Sequence, residues 1–590
     1  MFRKATPTGA FSYRTRASYL DRVQQETFDL VIIGGGITGA GIARDAAMRG
    51  LSVALLEKDD FAAGTSSRSS KMIHGGLRYL EHLQIRLVRE SLREREVLLK
   101  IAPHLVHPFP YILPVYEGGP NSRLHLKVGL VAYDLLAGSR RVGHHTMLSA
   151  DEVLRMEPAL RRDGLRGGFR YFDCLVDDAR LTLATIRSAA SHGAAVVSYT
   201  EVTDLERHED RVTGVRFRDR LDGRTGTIEG RVVVNATGPW ADELRAKSET
   251  PPMLRPTKGI HLALPRSSLS LSSIVAFPAI DDRLIFAVPL SDCIYVGTTD
   301  TDYTASPDQA KADAADVEYL LDSLNATFQG LQASPSDVIS TWTGVRPLVS
   351  EEGAPSDVPR DYEIQIDPPG LVSIAGGKLT TYRAMAQELV DLVLKREGKR
   401  FGWSAAPCRT AESPLPGGHL DAFERFAEAT ASALEESWGL PRPAAERLVR
   451  TYGTDYVKVL GYALPDRGLL RPLLPGGSVL RVEAVYAAAE EMALTLEDFM
   501  ARRTDLMLFD HNHGLNAASE AARLMAKVLR WNWRQRRQQV RRYREAVAAM
   551  TAFTAAEERP AAEERPATEE RPTAEDRPAA EDRPAAEEPA

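Results

Sequence analysis

The chain has 590 residues, 43% of them hydrophobic, which is ample for large buried cores and, at about 100 to 200 residues per domain, gives three or four units. Its three cysteines, Cys174, Cys293 and Cys408, stand far apart with no C-x-x-C spacing, which excludes a disulfide framework and zinc or iron–sulfur ligation; no metal is expected, and a reducing cytoplasmic compartment fits. The net charge of −7 lies wholly in the last segment, where Ala555 to Ala590 holds twelve acidic residues and five arginines, so the body is formally neutral and no nucleic-acid partner is expected.

Residues 1 to 27 form an N-terminal extension that is basic but lacks the apolar stretch of a signal peptide. Nowhere do about 18 apolar residues run together, so any membrane association is peripheral. Residues 28 to 58, FDLVIIGGGITGAGIARDAAMRGLSVALLEK, read as strand, glycine-rich turn, helix and second strand. Gly34, Gly36 and Gly39 satisfy G-x-G-x-x-G, allowing a tight turn, backbone approach to a pyrophosphate, and helix-on-sheet packing. The helix start then faces the phosphates with unpaired N–H groups. Glu57 ends the second strand, where a carboxylate accepts from ribose hydroxyls.

Next comes GTSSRSSKMIHGGLRYLEHL (64 to 83), whose small hydroxyl residues, Thr65, Ser66 and Ser70 among them, and paired glycines let backbone approach a flat ring. Paired Asp177 and Asp178 precede LTLATIRSAA and suit the first turn of a helix, a structural role. RVVVNATGPWADE (231 to 243) is a buried strand ending at Ala236-Thr237-Gly238. KGIHLALP, RLIFAVPL and CIYVGTT have the character of strands in a second sheet. In the first, alternation sets Ile260, Leu262 and Leu264 on one face and Gly259, His261 and Ala263 on the other, so His261 projects between small neighbours with space for a ligand over it. LVSIAGGKLTTYRAMAQ (371 to 387) is a strand breaking at Gly376-Gly377 into a helix that Lys378 opens. That places the positive end of a helix dipole, with Gly377, Thr380 and Thr381, beside whatever ring lies above the strand end.

Residues 404 to 418 form a linker, and 419 to 550 have helical spacing and little strand character, which predicts a helical C-terminal domain acting as a structural cap. Between Arg530 and Arg544 stand seven arginines and no acid, with Trp531, Trp533 and Tyr543 interleaved; such a helix can sit on an anionic membrane surface. From 551 to 590 a six-residue repeat of the type A-A-E-E-R-P cannot bury apolar area and is expected to be a disordered, solvated extension.

The strings SSKMIHGGLRYLEH, DCLVDDARL, NATGPW, VGTTD, GVRPL, RDYEI and GGKLTTYR, in this order, resemble the FAD-dependent sn-glycerol-3-phosphate dehydrogenase family, of the D-amino-acid-oxidase-like flavoproteins, from about Phe28 to about Tyr543. The resemblance implies an α/β fold in which a Rossmann-like FAD-binding domain (28 to 110, 170 to 245, 365 to 403) interleaves with an antiparallel-sheet substrate domain (111 to 169, 246 to 364). It implies non-covalent FAD held by the glycines, Glu57, Thr65, Ser66, Ser70, His74, Ala236, Gly238, Gly377 and Thr380. It also implies hydride transfer from C2 of glycerol 3-phosphate, yielding dihydroxyacetone phosphate.

Recognition of a phosphate dianion calls for guanidinium forks and an ammonium. The family strings supply Arg78, Arg346, Arg360 and Lys378, with Arg346 expected in a rigid turn between Gly344 and Pro347. A base must take the C2 hydroxyl proton, and His261 is the first candidate, with His74 and an arginine-bound water as alternatives. Electrons must leave reduced FAD. A membrane quinone is the expected acceptor, on the inner face of the cell membrane, while oxygen, as in a glycerophosphate oxidase or another FAD-dependent oxidase, is the alternative. A homodimer stays open.

Overall fold

The computed structural model describes residues 11–80, 84–120, 122–140, 142–350, 361–368 and 370–552. Arg360, the side chain of Arg78, the start of the N-terminal extension and nearly all of the acidic repeat lie outside the described residues.

The first sheet grows outward from Phe28–Ile33, buried at every position. Val53–Leu56 and Thr225–Asn235 flank it in parallel. Ala195–Val197 and Leu371–Gly376 continue the parallel set on either side, and Tyr362–Asp367 closes one edge antiparallel. An unbroken apolar run is what a parallel strand covered on both faces requires. The helices Ile37–Met48, Asp178–Ser191 and Tyr382–Phe401 contact one another over it. The N-terminal extension contributes a helix of its own, Tyr13–Gln25, whose Tyr19, Leu20 and Val23 are buried in the same core.

A second sheet of ten strands is largely antiparallel. Its axis is Leu254–Pro265, which pairs with Ser340–Val349 from Leu254 opposite Val349 to Ala263 opposite Ser340. Cys293–Gly297, Leu284–Leu290 and Ile274–Pro278 follow in order, and Val106–Tyr116 joins by a parallel contact. Val106–Tyr116 then pairs along its length with Leu165–Val176, so both run across the boundaries expected at 110 and 169. Tyr362–Asp367 likewise crosses the boundary expected at 364, because it is bonded to Leu371–Gly376 in the first sheet. In each case a continuous ladder, which no single-strand reading reveals, holds the strand to its sheet.

The C-terminal part, from Phe423–Trp438 to Trp533–Thr551, is helical and packs into two apolar clusters. The segment before it is no loose linker: Leu415 is fully buried, and Arg44 donates to the carbonyls of Thr410 and Ser413 at 3.1 and 2.6 Å. Buried ion pairs fasten the helical part to the first sheet. Asp60 accepts from Arg502 and Arg503, and Arg180 bonds both oxygens of Glu491. Burial works to raise the Asp60 carboxyl, but the two guanidinium groups outweigh it and hold the group below its ordinary value. Such pairs cost desolvation but fix one arrangement of the elements they join, since removing either partner strands a buried charge.

Candidate active site

Two cavities meet where the two sheets adjoin. One, of about 660 Å³, runs along the ends of the parallel strands and is lined by Gly34, Gly36, Glu57, Thr65, Ser66, Ala236 and Gly238. Its geometry follows from absent side chains. A Cβ on Gly39 would lie 1.9 Å from the Gly34 carbonyl oxygen, and one on Gly34, at φ +108°, would lie 2.5 Å from that of Ala236. Gly36 is the N-cap of Ile37–Met48, and a Cβ there would approach the Ser66 Oγ at 3.0 Å. That hydroxyl already accepts from the first helical N–H, of Ile37, at 2.9 Å.

Glu57 stands at the end of its strand and accepts from the backbone N–H groups of Gly35 and Asp59 at 2.7 and 2.9 Å. Burial pushes its carboxyl up to about 7 in spite of these bonds, with the neighbouring Asp59 adding to the rise. Trp240 lines the same cavity with a buried indole N–H that has no partner among the described residues. A narrow glycine turn, a terminal carboxylate and an unsatisfied donor fit an adenine dinucleotide.

The second cavity, of about 520 Å³, lies against the antiparallel sheet and shares Thr65, Gly377 and Lys378 with the first. Ser70, His74 and Thr380, expected at the cofactor, line this second cavity. Ser70 Oγ lies 2.8 Å from His261 Nε2, and Thr380 Oγ1 bonds the backbone N–H of His74 at 3.3 Å. The reason is the short strand Met72–Ile73, which pairs with Leu165–Val176 of the second sheet and carries the hydroxyl loop across the junction.

His261 lines the cavity but is only 3% exposed. The space expected over it is taken by Trp342, its cross-strand partner, whose ring stacks at 5.0 Å and 7°. Burial, then Arg346 and Lys71, bring the imidazole down to about 3. His261 Nδ1 is buried without a partner among the described residues.

Arg346 sits within the strand Ser340–Val349, not in a turn. Proline is tolerated beside it near the end of a ladder, and the pleat aims the guanidinium across the sheet. It donates to Asp300 Oδ1 and Thr298 Oγ1, each at 2.9 Å. Lys378 holds its ammonium 3.6 Å from the centre of the Tyr79 ring. The turn that follows it is a short 3₁₀ segment, Leu379–Thr381, and the α-helix opens only at Tyr382. Asp178, expected to be structural, is buried and bonds the Lys71 ammonium at 2.6 Å, while Asp177 accepts from the Arg180 N–H as the helix cap.

Further residues line or support the two cavities. Arg68 lines both cavities, and Arg283 lines the second. Behind the His74–Gly76 loop, Asp173 accepts from Arg95 and from the Tyr133 hydroxyl, and the Gly75 N–H donates to that hydroxyl at 2.9 Å. Asp173 opens the string DCLVDDARL, a usable signal; Trp342 had none, because only strand register sets it on His261.

The chain matches the family described as FAD dependent oxidoreductase over residues 29–392 and the C-terminal domain of alpha-glycerophosphate oxidase over 408–536. It is 39% identical over 531 residues to an aerobic glycerol-3-phosphate dehydrogenase of Staphylococcus haemolyticus, covering 88% of this chain and 94% of that one. A Bacillus subtilis protein of the same name is 39% identical over 533 residues, covering 88% and 95%. The solved glycerol-3-phosphate dehydrogenase of Bacillus halodurans, complexed with FAD, superposes with a TM-score of 0.76 at 31% identity, covering 92% of this chain and 99% of that one.

Proposed function

The chain belongs to the FAD-dependent glycerol-3-phosphate dehydrogenase family, and from that premise we propose that it oxidises sn-glycerol 3-phosphate to dihydroxyacetone phosphate and passes the electrons to a membrane quinone. Its cofactor is FAD. The observation that carries the reading is the placement of Arg346 and Lys378 in the wall of one cavity that opens onto the dinucleotide groove.

When bound, FAD accepts the hydride that leaves C2 of the substrate. The protein's own part is binding and proton management. Arg346, oriented by Asp300 and Thr298, and Lys378, held over Tyr79, supply the phosphate sites. Charged groups fixed in advance lose little on binding, so their attraction goes into orienting C2. Gly34, Gly36 and Gly39 admit the pyrophosphate, and Glu57 takes the ribose end.

The proton of the C2 hydroxyl reaches His261 through the Ser70 hydroxyl, which lines the cavity and lies 2.8 Å from the imidazole Nε2. With an imidazole value of about 3 His261 is a weak base in the substrate-free protein. Bound phosphate offsets the Arg346 charge that contributes to this depression, so the ring gains basicity as substrate arrives. The apparent pKa seen in kcat is then higher than that seen in kcat/KM.

Anaerobic mixing with sn-glycerol 3-phosphate tests the reading: the flavin absorbance should bleach with this substrate and not with glycine or proline. Bleaching by an amino acid alone would overturn it. Reoxidation then separates acceptors. The match of residues 408–536 to a glycerophosphate oxidase domain favours oxygen as the second reading; faster reoxidation by a quinone than by air-saturated buffer supports the first. The protein is proposed to work at the inner face of the cell membrane. Among the described residues no helix is long and apolar enough to cross a membrane.

A further inference from the structure

The imidazole of His261 is held from both neighbouring strands. On one side runs Cys293–Gly297, and a Cβ on Gly297 would lie 2.2 Å from the imidazole Cδ2, so the ring occupies space that only a glycine leaves. The strand on the other side supplies Trp342, stacked on the ring. The indole also reaches the hydroxyl loop: its Nε1–H donates to the Ser69 carbonyl at 3.3 Å. Tyr295, two residues before Gly297, donates its hydroxyl to the next carbonyl, that of Ser70, at 2.9 Å. Two aromatic residues therefore fix consecutive peptide units of the loop whose Ser70 Oγ lies 2.8 Å from His261 Nε2.

Both aromatic residues meet a side chain from outside the sheet. Phe509 ends the short helix Leu506–Phe509 of the helical C-terminal part and is buried. Its ring meets Trp342 edge-on, with 5.7 Å between centres at 87°, and Tyr295 at 6.1 Å and 36°. Edge-to-face contact sets a positive ring edge against a negative face and so favours one orientation of the pair. The backbone is fastened at the same place. The Phe509 carbonyl accepts from Cys293 Sγ at 3.1 Å and the Leu508 carbonyl from Ser340 Oγ at 2.6 Å, so both strands that flank His261 are tied to this helix. Covering the sheet would be served by any apolar side chain, whereas this ring touches the two residues that hold Ser69 and Ser70.

Given the reading in which the C2 proton passes through Ser70 to His261, we propose that Trp342 and Tyr295 are positioning residues for that transfer and that Phe509 extends the control to the helical C-terminal part. None of the three lines either the dinucleotide groove or the substrate cavity, so each acts through Ser70 and His261. Proton transfer needs its donor and acceptor within hydrogen-bond reach, and a misplacement of about 1 Å can cost about a hundredfold in rate. The helical part, expected as a structural cap, is on this account also a brace for the base.

Full-length FAD-loaded parent and variants are to be mixed anaerobically with sn-glycerol 3-phosphate, and the flavin absorbance followed in ordinary and heavy water and with substrate deuterated at C2. Trp342→Phe keeps a ring but loses the indole N–H, and Phe509→Ala removes the brace. Each should slow bleaching about tenfold, with flavin content and the half-saturating substrate concentration close to those of the parent. The heavy-water effect should grow and the C2-deuterium effect shrink, because proton transfer then limits the rate. Tyr295→Phe, which loses only the bond to the Ser70 carbonyl, should shift both isotope effects the same way by less. Parent-like bleaching in Trp342→Phe and Phe509→Ala would overturn the proposal. So would slower bleaching with unchanged isotope effects, since a role in stability alone leaves the limiting step where it was. A parent that glycerol 3-phosphate does not bleach would overturn the enzymatic reading and this proposal with it, whereas parent-like variants of a parent that does bleach overturn the proposal alone.

Discussion

The dinucleotide groove and the substrate cavity share a wall but are built on different principles. The groove is made by backbone: its shape comes from glycines at Gly34, Gly36 and Gly39, whose missing Cβ atoms leave carbonyls and N–H groups within reach of a ligand. All three lie within six residues of chain. The cavity is made by side chains that arrive from separate strands, Ser70 from one loop, His261 and Arg346 from paired strands, and Lys378 from the turn after the parallel sheet. The contrast teaches that a steric site is brittle to any added atom, while a side-chain site fails by degrees as charge or geometry is altered.

The largest test of that contrast is at Gly39. Its Cβ would meet backbone, the Gly34 oxygen at 1.9 Å, so no rotamer change relieves a larger residue. Gly39→Val is expected to lose flavin altogether and to cost on the order of 3 kcal/mol of stability. A yellow variant with the parent's thermal midpoint would break the steric account. Arg346→Lys probes the other principle. It keeps the charge but cannot bond Asp300 and Thr298 with one planar fork. Substrate binding should weaken by about 1.5 to 3 kcal/mol with FAD content unchanged, measured by flavin bleaching against substrate concentration. Unaltered binding would remove Arg346 from the phosphate site.

Acid should expose three histidines, of which His104 and His261 are buried and His107 is half-buried. Burial lowers His104 to about 3, His107 to about 4 and His261 to about 3, so all three stay neutral in the folded protein while the unfolded chain protonates near 6.5. Between about 6.5 and the folded values the unfolded state binds more protons, so stability falls as pH falls, by up to about 1.4 kcal/mol per pH unit for each histidine. Denaturant midpoints at neutral and mildly acid pH should show the loss, and His107→Gln should reduce it. A midpoint indifferent to pH in this window would contradict the burial. The smallest effect is expected at Glu57, whose carboxyl stands at about 7. Glu57→Gln should weaken FAD binding by about 1 kcal/mol, and the parent should hold FAD less tightly below neutral pH, because protonation removes an acceptor for ribose hydroxyls. Equal FAD retention by parent and variant across that range would leave Glu57 a strand-end residue with no part in the groove.

The groove is legible in a single run of residues. Gly34, Gly36, Gly39 and Glu57 form a local strand–turn–helix–strand unit whose spacing already implies its geometry, and they line or shape one cavity in the folded protein. The order of family strings likewise led to FAD and to the family, which the relatives bear out. Relations between distant segments are set by folding instead. Ser70 lies on a loop that a two-residue strand brings to His261, and the room above His261 is filled by a tryptophan more than eighty positions away in sequence. Gly344 and Pro347 around Arg346 favour a turn, but the ladder with Leu254–Pro265 overrides that local preference. The helix Arg123–Ala137 was least legible of all, since Leu126 and Leu124 are the same residue type and only packing settles that one is in the core and the other in solvent. Local chemistry travels with the chain; register, facing and exposure come into being only when separate elements meet.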